Sequence, residues 1–391
     1  RPRADRPPDG RPRRTAGARA VMSVSIPGRS PISIRLERRL HVEPRRSALV
    51  RLAGLIVALV LAGIFLQATG RPAFTLAGEV MEATFGRRRG LEATALIATP
   101  ILLDAIAVAI PLRMRLWNIG VEGQFLMGAW AAAGVGIFLD APGPLLLFVM
   151  ALAGVAGGMA WMLVPAIARA YWGVNEIITT LLLNFVALSW VEWFSIDIWR
   201  DKAAAVIQAT PPVEARLPML LGSNTLHVGF LIPLAMAAFF WWVFRSTRWG
   251  YEVDMIGGNP RAGEFAGINV KRRVLVVMLL SGAIGGLSGM IHLAGATGRL
   301  QGTISQAYGL SGFIVAALAG ASFLGLLAGG LFIALLLHSG IVLQGVGLSV
   351  YIVLAIYGLV LVGIAWGEMA ARYRLRITRE GAPAAMGRDP P

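Results

Sequence analysis

Long apolar runs recur along this chain at short intervals, and no other feature constrains its fold as strongly. Runs lie near residues 49–68, 91–112, 118–139, 144–168, 177–198, 226–244 and 274–295, and the stretch 309–367 is long enough for three more. A helix needs roughly 20 mostly apolar residues to cross the hydrocarbon core of a bilayer, where only helices and closed barrels satisfy their own backbone polar groups. The alternating ten-residue segments that a barrel would need are absent. The pattern predicts an all-α polytopic membrane protein with about ten transmembrane helices. Composition agrees, since 56% of the 391 residues are apolar, 15% are charged and the mean hydropathy is +0.68, outside the range of ordinary soluble domains.

The first run could be mistaken for a signal peptide, but it is too long and no A-x-A site follows, so it reads as a retained span. The chain begins at Arg1, and Met22 offers a more ordinary start. Residues 1–21 are therefore set aside from fold reasoning as upstream sequence or an addition to the natural protein. The expected organisation is a basic, disordered cytoplasmic tail over 1–46, a transmembrane domain over 47–370 and a cytoplasmic C-terminal tail over 371–391.

A net charge of +15 raises the question of nucleic acid. The excess sits in the first 51 residues and in loops beside apolar runs, and no aromatic-interleaved basic face accompanies it, so its placement is a topology signal. With the N-terminus cytoplasmic and ten alternating spans, 28 of the 36 Lys and Arg fall inside and 8 outside. The bias survives removal of the N-terminal tail, with 14 inside against the same 8. Arg87, Arg88 and Arg89 on the outside run against it. Both termini are then cytoplasmic and the number of spans is even.

Enzyme chemistry is argued against by what the sequence lacks. There is no cysteine, and the four histidines (His41, His227, His292, His338) show no metal-ligand spacing. Neither Lys202 nor Lys271 follows a glycine, so no phosphate-cradling GxxxxGK[ST] loop occurs. No catalytic residue, metal site or cofactor is expected. Glycine pairs four apart, Gly154/Gly158, Gly282/Gly286 and Gly285/Gly289, suit close helix packing in lipid, and Pro100, Pro165 and Pro233 can kink their spans.

Two kinds of segment remain. The basic loop 245–273 contains a short capped helix: Asn259 as N-cap, Pro260 at the first helical position, then Arg261, Ala262, Gly263, Glu264, Phe265 and Ala266, with Gly267 suited to the left-handed turn that ends it. Two turns of helix cannot bury much apolar surface against their own chain, so the segment is either a capped connector or a docking element. The other kind combines polar groups with span entrances. Asn118-Ile119-Gly120-Val121-Glu122-Gly123-Gln124 opens the third span, and Gly173 to Asn184 enters the fifth. Capping and dipole interactions are one sufficient account of Glu122, Asn175 and Glu176, a role in transport being the other, while Thr180 and Asn184, four apart, share a face expected to point into the bundle.

The segments NIGVEGQ (118–124), GVNEIITTLLLN (173–184) and GGNPRAGEFAGINVKR (257–272) resemble the signatures of ABC-transporter permeases for nucleosides and simple sugars, a group that includes ribose and branched-chain amino-acid permeases. Tyr308-Gly309-x-x-Gly312-Phe313 adds a fourth, and the likeness runs from about residue 45 to 370. The resemblance implies an importer in a bacterial inner membrane. Two identical or homologous permeases would sit on two cytosolic ATP-binding cassette subunits and receive a small-molecule substrate from an extracytoplasmic binding protein, with lipids around them and no nucleic acid. The helix from Asn259 to Gly267 would be the coupling helix, and Asp104, Asn118, Glu122, Gln124, Asn175, Thr180 and Asn184 are candidate substrate-pathway residues. Asp104 departs from the family, where a small or hydroxyl residue is expected. A carboxylate in mid-span costs roughly 2.5–3.5 kcal/mol on insertion scales, so it should face the bundle interior or water. The rivals are a branched-chain amino-acid permease of the same group and an ion-coupled secondary transporter; the latter needs no docking helix.

Overall fold

The structure, a computed structural model, describes residues 21–24, 32–38, 44–203, 208–220, 222–320 and 322–379. The helices among them are α1 (Pro44–Ala68), α2 (Ala73–Phe85), α3 (Arg88–Leu112), α4 (Val121–Phe138), α5 (Gly143–Trp172), α6 (Glu176–Trp193), α7 (Leu231–Ser246), α8 (Arg248–Gly258), α9 (Pro260–Phe265), α10 (Val270–His292), α11 (Tyr308–Ala319), α12 (Phe323–Gly345) and α13 (Val350–Arg372). A π-helical turn extends α6 through Ile198 and another extends α10 through Thr297.

Eight of these segments are long and apolar enough to cross a membrane: α3, α4, α5, α6, α7, α10, α12 and α13 with their extensions. Leu52–Ala68 within α1 and Tyr308–Ala319 (α11) are apolar but shorter. All ten apolar runs of the sequence are therefore helical, and eight have the dimensions of a span. Between α7 and α10 lie two helices where the sequence suggested one.

The chain divides into two compact units. One comprises residues 1–71 and 354–391. In it α1 and α13 approach so closely that a Cβ added at Gly54 would lie 2.8 Å from the Gly367 Cα, and one at Gly363 would collide with Ala58. This unit also holds an antiparallel sheet of β1 (Val21–Val24), β2 (Ile32–Arg38) and β3 (Tyr373–Arg379), in that order. The sequence reading expected no fixed structure over 1–46, so β1 and β2 correct it. The signal was the period-2 alternation of Ile32, Ile34 and Leu36 with Ser33, Arg35 and Glu37. The register sets Ile34 opposite Ile377 and Leu36 opposite Leu375, partners too distant in sequence for local reading to find.

The other unit, Pro72–Val353, contains the helical bundle. Its centre is α10, which packs against α3, α4 and α5. Small residues make this possible. A Cβ at Gly286 would strike the Gly154 carbonyl, and one at Gly158 would strike the Gly282 carbonyl, so the glycine pairs of α5 and α10 face each other across one crossing. Burial then separates the helices. In the most apolar stretch of α3, 83% of residues are buried, against 22% in α5 and α6. Thus α3 is interior, while α5 and α6 present most of their apolar surface outward, as helices in contact with lipid must.

Candidate functional site

The site begins with a missing hydrogen bond. Pro111 has no N–H, which leaves the Ala107 carbonyl one turn earlier without its helical donor. The Ser281 hydroxyl of α10 donates to that carbonyl at 2.5 Å. Ser281 Oγ in turn accepts from Asn118 Nδ2 at 2.8 Å. Asn118 and Gln124 form a reciprocal amide pair: Asn118 Nδ2 donates to Gln124 Oε1 at 2.9 Å and Gln124 Nε2 to Asn118 Oδ1 at 3.0 Å. The second Gln124 hydrogen reaches the Met162 sulfur at 3.2 Å, and Asn118 Oδ1 also accepts from the Gly120 N–H. Asn118, Gln124 and Ser281 are all buried, and every side-chain donor among them is engaged. Ser281 is the twelfth residue of α10, roughly 17 Å along it at 1.5 Å per residue. The seam therefore lies inside the bundle, deeper than the span entrance expected for residues 118–124.

The 173–184 motif closes on the same segment. Asn184 of α6 grips it from both sides: its Oδ1 accepts from the Gly123 N–H and its Nδ2 donates to the Ile119 carbonyl, both at 2.8 Å. Gly120 sits against Thr180, where a Cβ would lie 2.7 Å from the threonine Cβ. Thr180 is buried and donates to the Glu176 carbonyl of its own helix at 2.6 Å. Glu176 Oε1 accepts from the Trp117 N–H at 3.2 Å, and its other oxygen pairs with Arg169 at 3.2 Å. Asn175 is the N-cap of α6, accepting from the Ile177 N–H at 2.9 Å.

The 308–313 motif arrives at this place as well. Glu122 lies in the first turn of α4, where a helix dipole favours an anion. Its Oε2 accepts from the Leu310 N–H in the first turn of α11 at 3.2 Å, so one carboxylate serves two helix N-termini. Gly309 and Gly312 permit the approach: a Cβ at Gly309 would lie 2.6 Å from the Glu122 backbone, and one at Gly312 would lie 2.7 Å from Asp104 Cβ. Asp104 is fully buried within the bundle, as its mid-span position requires. Its neighbour Ser288 donates to the Pro100 carbonyl at 3.3 Å, and both carboxyl oxygens are left without a hydrogen-bond partner.

The 257–272 motif stands apart. Thr247 joins α7 to α8, donating to the Val243 carbonyl at 2.7 Å and accepting from the Gly250 N–H at 3.1 Å. Asn259 ends α8 and caps α9, its Oδ1 accepting from the N–H groups of Arg261 at 3.1 Å and Ala262 at 3.4 Å. Pro260 takes the first helical position and Gly267 has φ +79°, as the sequence predicts. Within α9 only Gly263 is buried, and Phe265 is 93% exposed. Behind it α8 is fastened by an ion pair of Asp254 with Arg113 at 3.0 Å, by Glu252 with Arg273, and by Gly257, where any side chain would collide with the Arg113 carbonyl.

The structure thus brings together Asn118, Gln124, Glu122, Thr180 and Asn184, places Asn175 at the exposed entrance to α6 and Asp104 beside α11, and leaves Asn259–Gly267 on its own. Sequence reading missed Ser281, whose partners Asn118 and Ala107 lie 163 and 174 positions away. Its spacing of seven from Ser288, which puts both hydroxyls on one face of α10, was the available sign. Among the described residues no cluster of three His, Asp or Glu could hold a metal ion.

Apolar helices of spanning length around an internally satisfied polar seam define a multi-pass membrane protein. Residues 90–365 match the family described as branched-chain amino acid transport system, permease component, and the chain belongs to that family. It is 32% identical to a glucose ABC transporter permease of Haloferax volcanii, over 77% of this chain and 84% of that one. It is 29% identical to a guanosine ABC transporter permease of Bacillus subtilis, over 74% and 85%, and 29% identical to a nucleoside ABC transporter permease of Lactococcus lactis, over 74% and 83%. No solved structure matches it. The chain is accordingly a transport component, not an enzyme, and ATP hydrolysis belongs to a partner.

Proposed function

We propose that this chain is the membrane-spanning permease of an ATP-driven importer for a nucleoside or simple sugar, and that α9 is the element by which the ATPase grips it. The observation that carries the reading is the exposure of Phe265. A six-residue helix capped at both ends holds a phenylalanine 93% exposed, the kind of aromatic anchor that fills a partner's pocket at an interface. The seam supports the rest. In this reading an ATPase bound to α9 biases the bundle alternately outward and inward, and the interhelical hydrogen bonds of the seam are the contacts that such a change would have to exchange.

In this reading the chain crosses a bacterial inner membrane ten times with both termini cytoplasmic. It pairs with an identical or homologous permease, and takes its substrate from an extracytoplasmic binding protein. The substrate class rests on relatives whose names specify glucose, guanosine and nucleosides. Asp104 and Glu122 are its candidate pathway carboxylates, and Asn118, Gln124, Asn184 and Ser281 hold α3, α4, α6 and α10 in register.

The test is to replace residues 259–267 with a flexible linker of equal length. The ATPase should no longer co-purify, while the permease still inserts into membranes. Retained co-purification, or uptake driven by an ion gradient with no ATPase present, would overturn the reading. Uptake of labelled nucleosides and sugars by cells with and without the gene reads the substrate class separately.

A further inference from the structure

A cavity of about 330 Å³ lies where the C-terminal ends of α3 and α7 meet the start of α12, near the lower end of small-molecule sites at roughly 300–1,000 Å³. It takes no part in the seam. It lies at the end of the bundle that carries α8, because Arg113, in its wall, pairs with Asp254. We propose that this cavity binds the phosphate headgroup of an anionic membrane phospholipid.

The charge is arranged for an anion. Two guanidinium groups line the cavity, Arg113 and Arg245. Arg113 lies over the Phe244 ring at 4.1 Å, and Asp254 offsets its charge. Arg245 lies over the Trp241 ring at 5.4 Å and makes no ion pair among the described residues. The site therefore carries net positive charge. Ser322, also in the wall, caps α12 by accepting from the Gly325 N–H at 3.2 Å, and its carbonyl takes the Leu326 N–H. The two N–H groups before those, on the lining residues Phe323 and Leu324, have no carbonyl within their own helix, and the positive end of the α12 dipole favours an anion there.

The apolar wall identifies the anion as a lipid. Trp241 is 52% exposed and Leu324 is 80% exposed, both at the cavity's edge. A soluble phosphate has no use for them, whereas acyl chains and the glycerol region lie against such side chains. A tryptophan one turn before an arginine at a helix end is the pattern of the membrane–water interface, where each basic residue near an anionic surface adds attraction.

The full chain, purified in neutral detergent, would be equilibrated with phosphatidylglycerol or with phosphatidylcholine of the same acyl chains, and retained lipid counted by native mass spectrometry. One phosphatidylglycerol should be held in preference to phosphatidylcholine. Arg245→Gln should weaken that retention about fivefold, and Arg245→Lys should restore most of it. The position is exposed, so an unchanged melting temperature in phosphatidylcholine would establish that R245Q is folded. Equal retention of the two lipids, or an unaffected R245Q, overturns the proposal. Displacement of the lipid by equimolar inorganic phosphate or glycerol phosphate also overturns it, by assigning the cavity to a soluble anion.

Discussion

The seam around Asn118 and the helix at Asn259 solve opposite problems with similar residues. Both begin with an asparagine, a glycine close behind and a carboxylate a few positions on. In the seam each polar group finds its partner inside the chain: Asn118 in Gln124 and Ser281, Asn184 in Ile119 and Gly123, Glu122 in Leu310. At α9 the asparagine satisfies only its own helix, and Phe265 is left bare. A buried polar group without a partner costs about 1–3 kcal/mol, so the first arrangement has to close on itself. An exposed helix end has water, and can leave an apolar side chain outward for something else to cover. The difference separates residues that hold the bundle from residues that reach out of it.

The sharpest way to break this contrast is at the crossing that carries the seam. Gly286→Leu would drive a side chain into the Gly154 carbonyl. The cost should exceed the ordinary 1–3 kcal/mol of overpacking, because backbone cannot rotate away. The expected outcome is loss of monodisperse protein on size exclusion, and a well-folded G286L would mean that α5 and α10 are not held as described. Next, Asn118→Ala leaves Gln124 Oε1 without its donor and the Gly120 N–H without its acceptor, while Ser281 keeps the Ala107 carbonyl, and it should destabilise by about 1–3 kcal/mol for each group left unpaired. A thermal melt in detergent measures this. An unchanged melt with transport abolished would show that Asn118 serves the cargo and not the bundle. The smallest effect is expected at the other pole. Asn259→Ala removes one cap worth about 1 kcal/mol, so the melting temperature should stay put while affinity for the ATPase falls about fivefold. A global loss of stability instead would place α9 among the structural elements.

Local signals were legible and distant ones were not. The caps of α9 were written in residues 259, 260 and 267, since capping is chemistry between neighbours. Apolar runs located ten of the thirteen helices among the described residues, because lipid imposes a length, and left out the short α2, α8 and α9. The burial of α3 relative to α5 and α6 was hidden, as all three are apolar throughout and only packing distinguishes them. That NIGVEGQ, GVNEIITTLLLN and Tyr308–Phe313 build one place could not be seen either, since their contacts span up to 188 positions. The strands were a misreading of available information. Alternation over Ile32–Arg38 was present, but a basic stretch beside a membrane span reads first as a tail.

The joints at Thr247 and Asn259 bear on how motion would travel. Each is one residue long, and each ends one helix while starting the next. A linkage of rigid rods with single-residue pivots has no slack, so displacement at Phe265 cannot be absorbed by a loop before it reaches α7. If the ATPase acts at Phe265 as proposed, the Arg113–Asp254 ion pair would carry part of that displacement from α8 to the foot of α3. Lengthening either pivot by a few glycines would leave every rod intact and still disconnect the handle from the machine.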